Sequence, residues 1–305
     1  MKTNNYGAVI KHIEPKHLDS IKIPEPDRMI RVHIANLIQS AVDKIDQSNS
    51  LVDQAESILL KSLELPSFEE FSDKNISRGV LHYEAKLSEL NQRFEASYHH
   101  PTYYEIINHL KAQNVDLISL GDSELIDRIY LPFRFKRVYV LEGQGVPFLS
   151  GKHIGELDPV GKKYISRGAH RQRIEDELTV KRNMVVVTCS GSTGNVALIP
   201  EHWDGWVMTH DLIRVVPKSE ISAGFLFSWL NSRFGRFLIN RNNYGAVVDH
   251  IDDSHLASIP IPIPKDLSII KKVGLMIQQS NELRFSAYND ESNAISYLEE
   301  FVLGQ

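Results

Sequence analysis

NNYGAVIKHIEPKHLDSIKIPEPD at residues 4–27 returns as NNYGAVVDHIDDSHLASIPIPIPK at residues 242–265, so the chain contains one phrase twice. The two copies agree at 15 of 24 positions, including a Tyr-Gly-Ala-Val run, two histidines and the prolines of the ending. Internal similarity of this kind indicates a repeated structural unit. A domain-sized region precedes the second copy, whereas only Met1, Lys2 and Thr3 precede the first. We therefore expect the first copy to be the remnant end of a unit whose main domain is missing.

Each copy of the phrase runs into a long helical pattern, at 28–63 and at 267–303. Proline suits the start of a helix. The N–H groups of the first turn have no partner within the helix, so the N–H that proline lacks is not missed there. Apolar residues in the first pattern recur mostly at steps of 3, 4 and 7, which is the spacing of a coiled-coil seam. A lone helix cannot bury such a stripe. The sequence therefore predicts two long helices that form a coiled-coil-like pair.

The region between the helices reads as a globular α+β domain, because short apolar runs occur there with only a few helical stretches. Predicted helices cover Tyr103–Gln113 and Phe225–Ile239, and predicted strands cover Leu117–Leu120, Val138–Leu141, Met184–Thr188, Val196–Ile199 and Leu212–Val216. The predicted organisation is a remnant phrase at 1–27, a first helix at 28–64, a linker at 65–79, the globular domain at 80–265 and a second helix at 266–305.

Charge is distributed unevenly along the chain, whose formal net charge is −5. Between Arg128 and Arg182 there are 12 Lys and Arg against 6 Asp and Glu, a local charge of +6, so the rest carries −11. A basic field on an acidic body indicates a nucleic-acid-facing surface. The single cysteine excludes an internal disulfide, and no Cys/His group has zinc spacing. With neither a signal-peptide pattern nor an apolar run of about 20 residues, the sequence predicts a cytoplasmic protein.

Candidate DNA contacts are cations and hydroxyl residues in glycine-containing segments, since phosphate contacts supply affinity and base-edge contacts supply specificity. The richest segment is GKKYISRGAHRQR at 161–173, and arginine can bond guanine O6 and N7 together. Arg134 and Lys136 are expected on one side of a strand, with Arg137 opposite. The predicted DNA-binding residues are Arg134, Lys136, Arg137, Lys152, Lys162, Lys163, Arg167, His170, Arg171, Arg173, Ser190 and Ser192.

Three motifs that resemble enzyme sites favour other roles. The Asn-Asn-Tyr at Asn242 lacks both prolines of an adenine-methyltransferase NPPY motif, and no glycine-rich cofactor loop precedes it. The Ser-Gly-Ser-Thr-Gly-Asn run at 190–195 lacks the Lys-Ser/Thr ending of a P-loop and predicts a tight turn. The pair His99-His100 has no third ligand for a metal. Trp203, Trp206 and His210 are expected to pack in the interior.

Several phrases together resemble the specificity (S) subunits of type I restriction–modification systems. The repeated phrase is similar to the YGAVxxHIxxxxLxxIxIPxP that closes each recognition domain of that family. ASYHHP at 96–101 resembles its opening phrase, and GVPFLSGK at 145–152 and TCSGSTG at 188–194 resemble its mid-domain phrases. The resemblance covers nearly the full length, but a full subunit carries two recognition domains and this chain has room for one.

The resemblance implies a non-catalytic subunit that recognises double-stranded DNA. It also implies that the helices bind adenine methyltransferase subunits, to which a restriction subunit can be added. No cofactor is expected on this chain, and S-adenosylmethionine is implied on the partner methyltransferase. Because the phrase at 4–27 contains apolar residues that a second copy could cover, we expect a homodimer. The alternatives are an assembly protein whose helix pair binds proteins while its globular domain binds no DNA, and the specificity module of another restriction–modification class.

Overall fold

The computed structural model describes residues 14–15, 19, 21–71, 83–90 and 93–304. Most of the first copy of the repeated phrase, and residues 72–79 of the predicted linker, lie outside these residues. The chain divides into two compact units, one formed by Met1–Asp43 with Asn289–Gln305 and the other by Lys44–Tyr288. No helix within the described residues is long and apolar enough to cross a membrane.

Helices and strands alternate irregularly along the described residues. The α-helices are α1 Arg28–Ser62, α2 Pro101–Ala112, α3 Arg167–Arg173, α4 Glu220–Asn231, α5 Arg233–Asn240, α6 Asp253–Ala257 and α7 Ser268–Leu298. The strands are β1 Asp116–Ser119, β2 Ile126–Tyr130, β3 Tyr139–Val140, β4 Val146–Leu149, β5 Lys163–Ile165, β6 Val185–Thr188, β7 Val196–Leu198, β8 Val207–Met208, β9 Leu212–Pro217 and β10 Pro260–Ile263.

The two long helices α1 and α7 confirm the predicted helix pair. Within the larger unit, the hydroxyl oxygens of Ser48 and Ser280 lie 2.8 Å apart. Within the smaller unit, the rings of His33 and Tyr297 lie 4.5 Å apart, centroid to centroid. Helix α1 ends where Glu64 takes a left-handed conformation, with φ 54°. This lets the N–H of Leu65 donate to the Leu60 carbonyl at 3.1 Å, a bond that closes the last turn.

A four-stranded antiparallel sheet in the order β2-β9-β6-β7 forms the centre of the larger unit. Successive residues of β6 point to opposite faces, so Val185 and Val187 enter the main hydrophobic core while Val186 enters a second one. Both faces are therefore buried. This explains why the VVVT sequence of β6 is apolar throughout and not alternating.

A second four-stranded sheet has the order β3-β5-β4-β8, and its β4–β8 pair is parallel. A separate antiparallel pair joins β1 to β10, so that Leu117 lies opposite Pro262. The Ile-Pro-Ile-Pro ending of the repeated phrase is therefore a short strand in a two-stranded ribbon. Proline is compatible with this position because the ribbon has few ladder hydrogen bonds to lose.

The single helix predicted for Phe225–Ile239 is wrong, because the chain breaks into α4 and α5 at Ser232. The Ser232 hydroxyl accepts a hydrogen bond from the N–H of Gly235 at 3.1 Å and so caps α5. A β-carbon on Gly235 would lie 2.1 Å from the Trp229 carbonyl oxygen. The break therefore depends on a serine cap and on a glycine that permits close backbone approach, neither of which changes the apolar periodicity.

Candidate nucleic-acid interface

The connection between β6 and β7 is a closed loop at residues 189–195. The Thr188 hydroxyl donates to the carbonyl oxygen of Ser192 at 2.6 Å and accepts from the N–H of Asn195 at 2.9 Å. Gly191 and Gly194 take positive φ values of 75° and 79°, a conformation that other residues adopt only with strain. The Ser-Gly-Ser-Thr-Gly-Asn run therefore forms a turn between antiparallel strands, as the sequence predicts.

The second copy of the repeated phrase folds directly onto this loop. The N–H of Gly191 donates to the Asp249 carbonyl and the N–H of Ile251 to the Cys189 carbonyl, both at 3.0 Å. The Thr193 hydroxyl donates to the Asn243 side-chain oxygen at 2.9 Å. Two of the motifs that carry the family resemblance, although about 50 residues apart in sequence, thus form one structural unit.

A cleft of about 700 Å³ opens on one side of the loop, and we call it the Lys152 cleft. Its wall combines the loop with the 3₁₀ turn at Gly151–His153 and with Arg236 of α5. Its polar lining consists of two cations, four hydroxyl groups, one amide and one carboxylate, namely Lys152, Arg236, Ser150, Thr188, Ser190, Ser192, Asn195 and Asp211. Lys152 and Ser192 are exposed, so this cleft presents both phosphate-binding charge and hydrogen-bonding groups to solvent.

A second cleft of about 350 Å³ opens on the other side of the loop, and we call it the Tyr244 cleft. Its lining includes Phe133, Arg134, His210, Tyr244 and His250. Ser190 and Asp211 line both clefts, so the two openings are neighbours that share one wall. Aromatic rings, a cation and a carboxylate are therefore presented side by side.

His210 and Asp211 are neighbouring polar residues of the Tyr244 cleft, and Asp211 also belongs to the shared wall. The His210 ring lies 3.2 Å from a carboxylate oxygen of Asp211, and the Arg137 guanidinium approaches its other nitrogen at 3.3 Å. Burial lowers the pKa of His210, and the nearby Arg137, Arg134 and Arg214 lower it further against the opposing effect of Asp211. The imidazole is therefore held neutral at pH 7, so it can both donate and accept a hydrogen bond.

The turn that presents these two residues is held from inside by Arg214 of β9. This arginine is fully buried, and its guanidinium donates to the carbonyl oxygens of Thr209 at 2.9 Å and Met208 at 2.7 Å. Burial lowers the pKa of Arg214 to about 10. Within the described residues, its hydrogen bonds go to carbonyl oxygens of the β8–β9 region and of Leu178, and none goes to a carboxylate. Arg214 thus fixes the backbone on which His210 and Asp211 sit.

Six of the predicted DNA-binding cations have exposed side chains. Arg134, Lys136, Lys152 and Arg167 are exposed and make no ion pair within the described residues. Lys163 is exposed and lies over the Tyr139 ring at 5.0 Å. Arg171 remains 79% exposed although it pairs with Glu175 at 3.1 Å, which is a weak interaction at a surface. These six remain available for phosphate or base contact.

Four other predicted contacts are occupied by the fold. His170 is buried and its ring accepts a hydrogen bond from the N–H of Val138 at 3.0 Å. Lys162 pairs with Asp158 and lies over the Trp206 ring. Arg137 donates to the Thr209 hydroxyl at 3.0 Å and stacks on Phe148. Arg173 pairs with Glu177 and donates to the Phe133 carbonyl at 2.6 Å.

Two positional expectations differ from the structure. Arg134, Lys136 and Arg137 lie between β2 and β3 in a segment that belongs to no strand, so the predicted strand geometry does not apply. None of the cations of 161–173 lines either cleft. That segment is β5 followed by α3, whose N-cap Ser166 accepts from the N–H of Ala169 at 3.2 Å.

Sequence reasoning missed several residues of the clefts. Asp211 and Arg236 have no local signal, because one follows a short strand and the other lies on a helix predicted only to pack. His210 was predicted to be a packing residue, but it lines the Tyr244 cleft. Tyr244 is 39% exposed and could have been found from its place in the repeated phrase. No group of three or more His, Cys, Asp or Glu within the described residues could hold a metal ion.

Residues 150–288 match the family described as the type I restriction modification DNA specificity domain. This stretch of the chain is therefore similar to a specificity domain of that family. The resemblance of its repeated phrase to this family is thereby confirmed. The matched residues include Lys152, the 189–195 loop, Asp211, Arg236 and the second copy of the phrase, whereas Arg134 and Lys136 precede them.

Two solved structures are similar to the whole chain. One is the S subunit of a type I restriction-modification system from M. genitalium, with 14% identity and a TM-score of 0.41, over 99% of this chain and 68% of that one. The other is the HsdS subunit from Thermoanaerobacter tengcongensis, with 15% identity and a TM-score of 0.39, over 91% of this chain and 58% of that one. No curated protein sequence matches the chain.

Proposed function

We propose that this chain reads DNA as the non-catalytic specificity subunit of a type I restriction–modification complex. The observation that supports this most is the pair of clefts around the 189–195 loop, which lies inside the residues matched to the specificity domain. Bases are read by hydrogen bonds in the grooves, and the duplex is held through its phosphates. The clefts offer groups of both kinds.

Two kinds of contact are assigned to the exposed residues. Lys152, Arg134 and Lys136 bind phosphates, with Lys163, Arg167 and Arg171 available to extend the contact along the backbone. Ser190 and Ser192 offer hydroxyl groups, which can donate to or accept from base edges. Asp211 adds an acceptor for the amino group of cytosine, and its position on the wall shared by both clefts suits it to read a base rather than to meet a phosphate.

The partners in this proposal are adenine methyltransferase subunits, which bring S-adenosylmethionine and perform the methyl transfer, and a restriction subunit. The helix pair α1–α7 is the surface that we assign to assembly. Exposed apolar side chains on α1 support this role, since Ile38 and Val42 are four residues apart on the same face of the helix and are 41% and 45% exposed. A second copy of the chain is the further partner that we propose for this face.

Methylome sequencing tests the function directly. The cognate methyltransferase is expressed with and without this chain, and modified adenines are mapped across the genome. We expect methylation at one recurring sequence only when the chain is present. Methylation of the same sequence without the chain would show that the target is read elsewhere.

The assembly-only alternative requires a separate measurement. Binding of the purified chain to random duplex is followed by fluorescence anisotropy over a series of salt concentrations. A DNA-reading domain releases counterions on binding, so its affinity falls steeply as salt rises. A chain that binds methyltransferase subunits but shows no duplex binding at low salt would support the assembly role instead.

A further inference from the structure

One phenylalanine is exposed on a segment whose backbone is firmly held. Residues 131–138 form a segment without helix or strand between β2 and β3, and Phe133 in this segment is 81% exposed. Its ring contacts no other aromatic ring within the described residues, whereas Phe135, two residues later, packs edge-on against His170. Single exposed apolar residues are common on protein surfaces, so exposure alone carries no conclusion.

The backbone of Phe133 is fixed from two sides. Pro132 precedes it, is buried, and restricts its own φ through the pyrrolidine ring. The Arg173 guanidinium donates to the Phe133 carbonyl oxygen at 2.6 Å. Arg173 is held in turn by Glu177 at 2.7 Å and by stacking on the Phe135 ring at 5.0 Å. The ring of Phe133 is therefore presented to solvent from a rigid support.

The surroundings of this ring match a nucleic-acid partner. Arg134 and Lys136 are exposed on the same segment and make no ion pair within the described residues. Phe133 and Arg134 line the Tyr244 cleft together. An apolar ring beside two free cations is complementary to a base stack bordered by phosphates, and apolar wedges of this kind enter base steps in proteins that bend DNA.

We propose that Phe133 is a wedge that inserts into a base step of the bound duplex. Arg134 and Lys136 bind the phosphates that flank the opened step, and Arg173 is a positioning residue that holds the wedge through its carbonyl oxygen. The proposal rests on the DNA-reading function proposed above and adds to it a deformation of the duplex. The chain then prefers DNA sequences in which the two base pairs at the wedged step unstack easily. Pyrimidine–purine steps open most readily.

The test uses a short duplex selected from a random-sequence pool by the wild-type chain, with 2-aminopurine placed at successive positions. Unstacking raises the fluorescence of this base analogue. We expect one step to brighten with the wild-type chain and with Phe133→Leu, which keeps an apolar wedge, and not with Phe133→Ala. Phe133→Ala should also bind roughly tenfold to a hundredfold more weakly, the usual range for a stacked aromatic side chain.

Phe94→Ala is the matched control, because Phe94 is an equally exposed phenylalanine, at 82%, that lines neither cleft. It should leave both affinity and fluorescence unchanged. Arg134→Ala with Lys136→Ala should flatten the salt dependence, whereas Phe133→Ala should leave the slope as it is. Arg173→Met should reduce the fluorescence rise with an unchanged slope, an effect that a phosphate-binding arginine would not show.

The results of these experiments distinguish a failure of the Phe133 wedge proposal from a failure of the proposed DNA-reading function. If the wild-type chain binds the selected duplex and no position brightens, or if Phe133→Ala behaves as wild type, the wedge is wrong and DNA reading stands. If the wild-type chain enriches no sequence and binds no duplex, both proposals are wrong. Equal melting temperatures for the Phe133 variants and the wild type exclude a folding defect, as expected for an exposed side chain.

Discussion

Thr188 and Ser192 are joined by a hydrogen bond of 2.6 Å from hydroxyl to carbonyl, and this bond closes the loop that separates the two clefts. Thr188 is the last residue of β6, so the loop is attached to the most buried strand of the central sheet. Its methyl group also occupies the space beside Gly151 of the Lys152 turn, since a β-carbon on Gly151 would lie 3.0 Å from it. One side chain of the Lys152 cleft is therefore bonded to the loop and lies beside the turn that carries Lys152.

Replacing Thr188 by valine keeps the shape of the side chain and removes both hydrogen bonds of the hydroxyl. We expect a loss of about 1–3 kcal/mol in the free energy of unfolding, because two partly buried hydrogen bonds of about 0.5–1.5 kcal/mol each are lost. DNA affinity should fall as well, since Ser190 and Ser192 lose their fixed position. Urea denaturation and anisotropy measure the two effects. Thr188→Ser keeps the hydroxyl and should retain most of the affinity; equal loss in both variants would contradict the assigned role of the hydroxyl.

Replacing Lys152 by alanine removes the exposed cation at the edge of its cleft. The slope of log affinity against log salt should become shallower by about 1, as expected for one lost phosphate contact. Lys181→Ala is the matched control, because Lys181 is also exposed and belongs to the same basic window but lines neither cleft. Similar slopes for the two variants would indicate that the duplex does not lie over the Lys152 cleft.

The Ser48–Ser280 hydrogen bond joins α1 to α7 where both side chains are almost fully buried. Each single change to alanine leaves one buried hydroxyl without its partner, which should cost about 1–3 kcal/mol in unfolding free energy. The double change removes both hydroxyls and should cost less than the sum of the single changes. Denaturation of the four proteins gives the coupling energy, and strictly additive losses would show that the two hydroxyls do not depend on each other.

Cys189, the only cysteine, should be protected from thiol reagents in the native state. Burial raises the pKa of its thiol to about 12, and the nearby Asp211 carboxylate adds to the effect, so almost no thiolate exists at pH 8. Because the native pKa lies above that of the unfolded chain, stability should fall as pH rises above about 9. Ellman's reagent should react slowly in buffer and fast in denaturant. Ser192→Cys places a second thiol on the exposed loop and should add a fast phase in buffer.

Light scattering over a concentration series tests the proposed homodimer. A two-fold symmetric pair would present two identical specificity domains, so its target would be an interrupted palindrome. We expect a mass near twice 34.7 kDa at high micromolar concentration. Ile38→Glu with Val42→Glu should return the mass to that of one chain if the exposed face of α1 carries the contact. A single-chain mass for the wild type at every concentration, with the methyltransferase subunit also present, would rule out the dimer.

Local signals were enough to predict much of the fold. The heptad spacing of 28–63 and the apolar runs at β6, β7 and β9 are short-range patterns, and each corresponds to an element of the structure. Cap and turn residues modified these elements without disturbing the periodicity. Ser232 split one predicted helix in two, and Pro132 precedes a segment that forms no strand.

The candidate site depended on tertiary structure. The sequence alone identified a basic window and the Ser-Gly-Ser-Thr-Gly loop. It also predicted Lys152, Ser190 and Ser192 to be DNA contacts. It could not show that Asp211, Arg236 and Tyr244 join them, because a cleft is assembled from segments that are distant in sequence. Nor could composition distinguish Arg171, which faces solvent, from Arg173, which holds the Phe133 carbonyl. Their charge is the same, and only the packing around each guanidinium decides which one is free to bind DNA.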